Sequence, residues 1–183
     1  MVLGLFSSCD NESDSGTTLA ITSVVKAEEG DLTPVTQGDP KNYYIIRGTG
    51  LSSVQKIYFN DFDTYFNPVL VTDTEIFVLI DENTPYANAS NKLKVVTAIG
   101  TIIYDFIVKP PVPTVLGFQP INAVAGDEVV IKGKYFLNPT VTIGTVNVPV
   151  VSSTFEEIKI TLPADVDKKY ITVTNISGSA VSK

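Results

Sequence analysis

An internal repeat limits this chain more than any other feature, because two copies of one unit must build the same architecture twice. In the first copy Tyr44-Ile45-Ile46-Arg47-Gly48 matches Val129-Val130-Ile131-Lys132-Gly133 of the second, and Leu51 matches Phe136. Ile57 to Asn60 corresponds to Val141 to Gly144, Pro68 to Ile80 parallels Pro149 to Leu162, and Leu93 to Gly100 parallels Tyr170 to Gly178. Each block alternates or runs apolar over a short stretch and is bounded by Gly, Pro, Asn or Asp, the pattern of strands in an antiparallel sandwich. The blocks are rich in Val, Ile, Thr, Tyr and Phe, which suit a pleated, half-buried surface. The expected fold class is therefore all-β, as two tandem β-sandwiches. Gly48 and Gly133 suit a bulge or sharp bend, and Asn60 and Gly144 suit left-handed turn positions.

The copies are separated by Lys109-Pro110-Pro111-Val112-Pro113. Proline fixes φ and restricts the residue before it, so this stretch reads as extended and stiff. The expected organisation is a first domain over 19–109, a Pro-rich linker over 110–113 and a second domain over 114–183. Aligning the ends of the copies sets Gly178 against Gly100 and Lys183 against Asp105, which leaves Phe106, Ile107 and Val108 without counterparts. The second domain is thus expected to lack the closing half of its last strand, and the natural chain to continue further.

Charge and composition exclude several function classes. With 13 Lys+Arg against 20 Asp+Glu the net charge is -7, the wrong sign for nucleic-acid binding. The chain has no His and a single Cys, so the commonest general base, the commonest metal ligand and any intrachain disulfide are missing. No pair of acids is marked as facing across a cleft, as glycosidase chemistry needs. No catalytic residue, metal or cofactor is expected. Asp61 and Asp63 with Asn60 lack the further oxygen ligands, glycine and closing Glu of a calcium loop. Glu28, Glu29 and Asp31, like Glu156 and Glu157, read as solvent-facing charge runs.

The densest aromatic stretch holds Tyr58, Phe59, Phe62, Tyr65 and Phe66, interleaved with Asn60, Asp61, Asp63 and Asn67. Rings beside amides and carboxylates can stack on sugar faces and bond hydroxyls, so Tyr58, Tyr65 and Phe66 are the candidate glycan contacts. The competing reading is core and cross-strand pairing. The lack of Trp removes the largest stacking surface.

Met1 to Ser8 reads MVLGLFSS directly before Cys9, and the polar, acidic DNESDSG follows. Phe6-Ser7-Ser8-Cys9 resembles a bacterial lipobox, with Phe6 where Leu is usual, and no basic stretch opens the segment. The true signal is accordingly expected to begin upstream, with residues 1–18 a truncated signal, lipobox and acidic tether. The resemblance implies that Cys9 is diacylated and anchors the chain to the membrane, since two or more acyl chains hold stably where one does not. Eight residues before Cys9 are too few to span a bilayer, which takes roughly 20. Asp10, Glu12 and Asp14 resemble the signal that exports some lipoproteins to the outer face of the outer membrane.

The Pro-rich lead-in, Gly126, the strand Val129 to Ile131, Gly133, Phe136 and Val141 to Gly144 resemble the IPT/TIG module, an immunoglobulin-like fold. The second copy resembles it well and the first loosely. The module has no common catalytic residues, and its fold alone does not fix a function. Lipid anchor, acidic tract and tandem modules together resemble the surface glycan-binding lipoproteins of polysaccharide-utilisation loci. That resemblance implies a non-catalytic spacer that serves polysaccharide capture beside an outer-membrane transporter. The alternatives are an adhesin or protein-interaction module of the cell envelope, and accessory domains of a surface glycoside hydrolase.

Overall fold

The structure is a computed structural model and describes residues 18–164, 166 and 170–182. Cys9 and the lipobox lie outside the described residues. All regular structure among the described residues is β-strand. In the first unit β1 (Ala20–Lys26), β3 (Tyr43–Thr49), β7 (Glu75–Leu79) and β6 (Phe66–Val71) form a sheet in the order β1-β3-β7-β6. The second sheet runs β5-β4-β8-β9, from β5 (Phe62–Thr64), β4 (Val54–Phe59), β8 (Lys92–Thr97) and β9 (Gly100–Asp105). Two short strands, β2 (Gln37–Gly38) and β10 (Ile107–Val108), pair in parallel.

The second unit repeats the two four-stranded sheets in the same order, with no counterpart of the β2–β10 pair among the described residues. One sheet runs β11-β12-β16-β15, from β11 (Thr114–Gln119), β12 (Glu128–Lys134), β16 (Glu157–Thr161) and β15 (Val150–Ser153). The other runs β14-β13-β17-β18, from β14 (Val146–Val148), β13 (Thr140–Ile143), β17 (Ile171–Asn175) and β18 (Gly178–Val181). Each unit buries its own apolar cluster. The first gathers Ile46, Leu51, Ile57, Phe59, Ile76, Leu93 and Phe106, and the second Ile131, Phe136, Val141, Ile158, Ile160 and Val173. The strict alternation of buried and outward residues along β3, β7 and β12 follows from the two-residue period of a strand. A fully buried aliphatic side chain contributes about 1.5–3 kcal/mol, so these clusters dominate the stability of both units.

The two glycines of the repeat have one shared cause. A β-carbon on Gly48 would lie 1.9 Å from the Ala20 carbonyl oxygen, and one on Gly133 would lie 2.0 Å from that of Thr114. The bulge is on the opposing strand in both cases, at Thr22 between Ile21 and Ser23 and at Leu116 between Val115 and Gly117. The glycines are thus needed for close approach of the first strand rather than for a bulge of their own. The turns correspond as well. Thr72 and Thr154 each accept the backbone N–H three residues on, from Glu75 (2.8 Å) and Glu157 (3.0 Å), through the threonine hydroxyl. Asn60 (φ 51°) and Gly144 (φ 60°) both open two-residue hairpin turns in the left-handed region.

The linker is held down rather than free. Pro110 and Pro113 are buried. Asn175 Nδ2 donates to the Pro111 carbonyl at 2.9 Å, and the Ser177 hydroxyl donates to the Pro110 carbonyl. Lys109 Nζ lies 3.0 Å from Asp39 Oδ1, which ties the start of the linker to the first unit.

Candidate functional site

The β4–β5 hairpin positions the aromatic stretch, and its pairing sends the rings to different places. Phe59 is fully buried, edge-on to Phe106 at 5.5 Å, and Phe66 packs partly buried against the same core. Tyr58 lies on the outer face opposite Asp63, with Lys94 Nζ 4.4 Å from its ring centroid, a cation–π contact. Tyr65 sits between β5 and β6 and is 82% exposed. Of the three candidate glycan contacts, Tyr65 alone presents an open ring; Tyr58 is engaged by a lysine and Phe66 by the core. The acids of the stretch are paired, Asp63 with Lys56 at 2.6 Å and Asp61 with Lys94 at 3.4 Å. Among the described residues no group of three potential metal-binding side chains converges. No helix among them is long and apolar enough to cross a membrane.

Aromatic contacts outside this stretch went unnoticed in the sequence. On the outer face of β3 and β7, Tyr43 and Phe77 stack with centroids 4.9 Å apart and planes at 20°. Ile45 and Leu79 lie on the same face, and Arg47 Nε bonds Glu75 Oε1 at 3.0 Å beside them. The matching face of the second unit carries Glu128, Val130 and Lys159, with an ion pair from Lys159 to Glu128 at 3.3 Å. The same sheet position is therefore aromatic in one unit and charged in the other. A second aromatic group joins the units, with Tyr86 stacked on Phe155 at 6.1 Å and Tyr135 edge-on to Phe155 at 5.7 Å. Comparing the repeats position by position would have flagged both, because the copies differ there in residue class.

Residues 113–183 match the IPT/TIG domain family. The first unit shares its strand order and the Gly48/Gly133 position with this matched unit. Among solved structures the chain is similar to a surface glycan-binding protein from Prevotella bryantii, with 26% identity and a TM-score of 0.65 over 90% of this chain and 41% of that one. It also resembles the fold of a protein crystallised with a xylogluco-oligosaccharide, with 21% identity and a TM-score of 0.74 over 90% of this chain and 40% of that one. The chain thus spans about two fifths of either protein's length. No curated protein matches the sequence.

Proposed function

We propose that this chain is the non-catalytic stalk of a cell-surface glycan-binding lipoprotein, in which two rigid sandwiches hold a sugar-binding part away from the membrane. The observation that carries this reading is the match of both units together, 90% of the chain, to about two fifths of the Prevotella bryantii surface glycan-binding protein. A tandem that aligns as a whole argues for the same use of the tandem. Cys9 supplies the membrane anchor through its acyl chains. Tethering beside an outer-membrane transporter raises the effective concentration of bound polysaccharide there, so the useful property of the stalk is its length and stiffness.

A second reading rests on the outer face of β3 and β7. Tyr43, Ile45, Phe77 and Leu79 make that face apolar where the IPT/TIG domain has charge, which favours contact with an envelope protein or a glycan made by the first unit itself.

The test is a swap in the native cell. Residues 19–183 are replaced in the full-length gene by two immunoglobulin-like units of unrelated sequence and similar length, and capture of fluorescent polysaccharide is measured at matched surface level. Retained capture supports the stalk, and Cys9→Ala should abolish surface display. Lost capture at normal surface level overturns it.

A further inference from the structure

We infer that Tyr86, Phe155 and Tyr135 form a second, non-covalent joint beside the Pro-rich linker and lock the two units in one relative orientation. The repeat serves as its own control. Leu51 and Phe136 occupy matching positions, with backbone N–H groups bonded to the carbonyls of Asp73 and Phe155. Gly50 therefore corresponds to Tyr135, and Asp73 to Phe155. In the first unit Gly50 adopts φ 71° without steric cost, and Asp73 serves its own turn, accepting from the Gly50 N–H at 3.3 Å and the Ser52 hydroxyl at 2.9 Å.

In the second unit a tyrosine holds the same left-handed backbone, at φ 63°, which glycine would adopt freely and an L side chain resists. The polar turn residue is replaced by a phenylalanine that remains 37% exposed and does not enter its own unit's core. Both departures from the repeat thus run against local stability; Phe155 reaches across to stack on Tyr86 of the first unit, and Tyr135 backs Phe155 edge-on from within the second. Strain of this kind persists where the surrounding contacts over-determine it.

Tyr86 and Tyr135 are each fixed from behind. Tyr86 packs against the first core, and the carbonyl next to it, on Pro85, accepts from Asn60 Nδ2 at 2.7 Å. The Tyr135 carbonyl accepts from Asn175 Nδ2 at 3.0 Å, the same amide that holds Pro111 of the linker. Asn175 is itself oriented by the Ser177 N–H, which donates to its Oδ1 at 2.8 Å. Burial pushes the Tyr86 phenol up, and the neighbouring Tyr135 adds to this. One side chain, Asn175, therefore couples the covalent linker to the aromatic joint. Without such a joint, motion between linked domains is the default.

The test is electron–electron distance measurement between spin labels on the two units, in the full chain carrying Cys9→Ser, Ile103→Cys and Val151→Cys; both label sites are well exposed. The parent should give one narrow distance distribution. Phe155→Asp, which restores the residue type of the first unit's turn, and Tyr86→Ala should each broaden it about twofold or more, as free domain motion returns. Tyr135→Gly separates the joint from ordinary packing, because it should broaden the distribution while the melting temperature of the second unit holds or rises. Circular dichroism checks that each variant is folded. Unchanged widths in folded Phe155→Asp and Tyr86→Ala chains overturn the inference, as does a Tyr135→Gly chain that melts lower yet keeps the narrow distribution.

Discussion

Replacing Gly133 with alanine strikes the repeat where it has least room. The new β-carbon would lie 2.0 Å from the Thr114 carbonyl oxygen and 2.3 Å from Cζ of Phe136. Even a favourable C–H contact to a carbonyl oxygen needs about 3.3 Å, so β11 has to retreat by about 1 Å or more. That displacement stretches the β11–β12 hydrogen bonds on both sides of the Leu116 bulge beyond useful length. Phe136, only 2% exposed, must also leave its place in the core. Overpacking costs about 1–3 kcal/mol and each weakened ladder bond about 1 kcal/mol, so the expected loss is about 3–5 kcal/mol. A domain holds about 5–15 kcal/mol in total, which makes this a severe lesion. Urea unfolding followed by circular dichroism and tyrosine fluorescence reads it directly. Three other glycines complete the series. Gly48→Ala meets the Ala20 carbonyl at 1.9 Å but no buried ring, and should cost about 2–3 kcal/mol. Gly126→Ala meets nothing within 4 Å but sits at φ 93°, and should cost about 1–2 kcal/mol. Gly117→Ala faces open space at an ordinary φ and should fall within about 0.5 kcal/mol of the parent. A Gly133→Ala loss under about 1 kcal/mol, or a series without this order, would refute the reasoning.

Further outcomes follow from the side chains around the first core and the linker. Phe59→Ala should destabilise by about 3–5 kcal/mol, since the ring is fully buried, whereas Tyr58→Ala should cost about 0.5–1 kcal/mol for its cation–π contact; chemical denaturation of the pair shows that the aromatic stretch is mixed in role. Burial pushes the Tyr44 phenol up, the Asp39 carboxylate adds to this, and the Asp39 N–H that the phenol accepts at 2.8 Å pulls the other way. Because the folded state favours the neutral phenol, its share of stability is intact below the ordinary value of about 10 and is lost as pH rises through the raised folded value. Tyr44→Phe should flatten that alkaline loss and cost about 1–2 kcal/mol at neutral pH, as the Asp39 N–H loses its acceptor; a pH series of urea midpoints checks both. Asn175→Ala should cost about 2 kcal/mol in thermal or urea unfolding, because the Pro111 and Tyr135 carbonyls lose their shared donor.

Much of the architecture was legible in the sequence because the repeat recurs at positions that permit little choice. Gly48 and Gly133 were visible as a matched pair since only glycine admits the first strand's carbonyl, although the extra residue proved to be on that first strand, at Thr22 and Leu116. Asn60 and Gly144 were visible since both residue types accept a left-handed turn. Which aromatic rings meet was not legible. Tyr43 and Phe77 touch because antiparallel pairing of β3 with β7 brings them onto one face, and register of that kind is set by tertiary packing rather than by neighbours in the chain. The stretch from Tyr58 to Phe66 looked like a cluster because its rings are close in sequence, yet strand alternation and the turn at Asn60 and Asp61 divide them between core, sheet face and solvent. Asn175 lies in a sequon, while its amide is occupied by the linker and Tyr135 carbonyls.

The most direct measurement of the central claim, that these two units hold a glycan-binding part in place rather than bind glycan themselves, is affinity electrophoresis of this chain through gels containing xyloglucan and a panel of other plant and host polysaccharides. The account predicts migration unchanged by any polysaccharide. Retardation that disappears in Tyr65→Ala or Tyr43→Ala would contradict it and place a sugar site on the first unit.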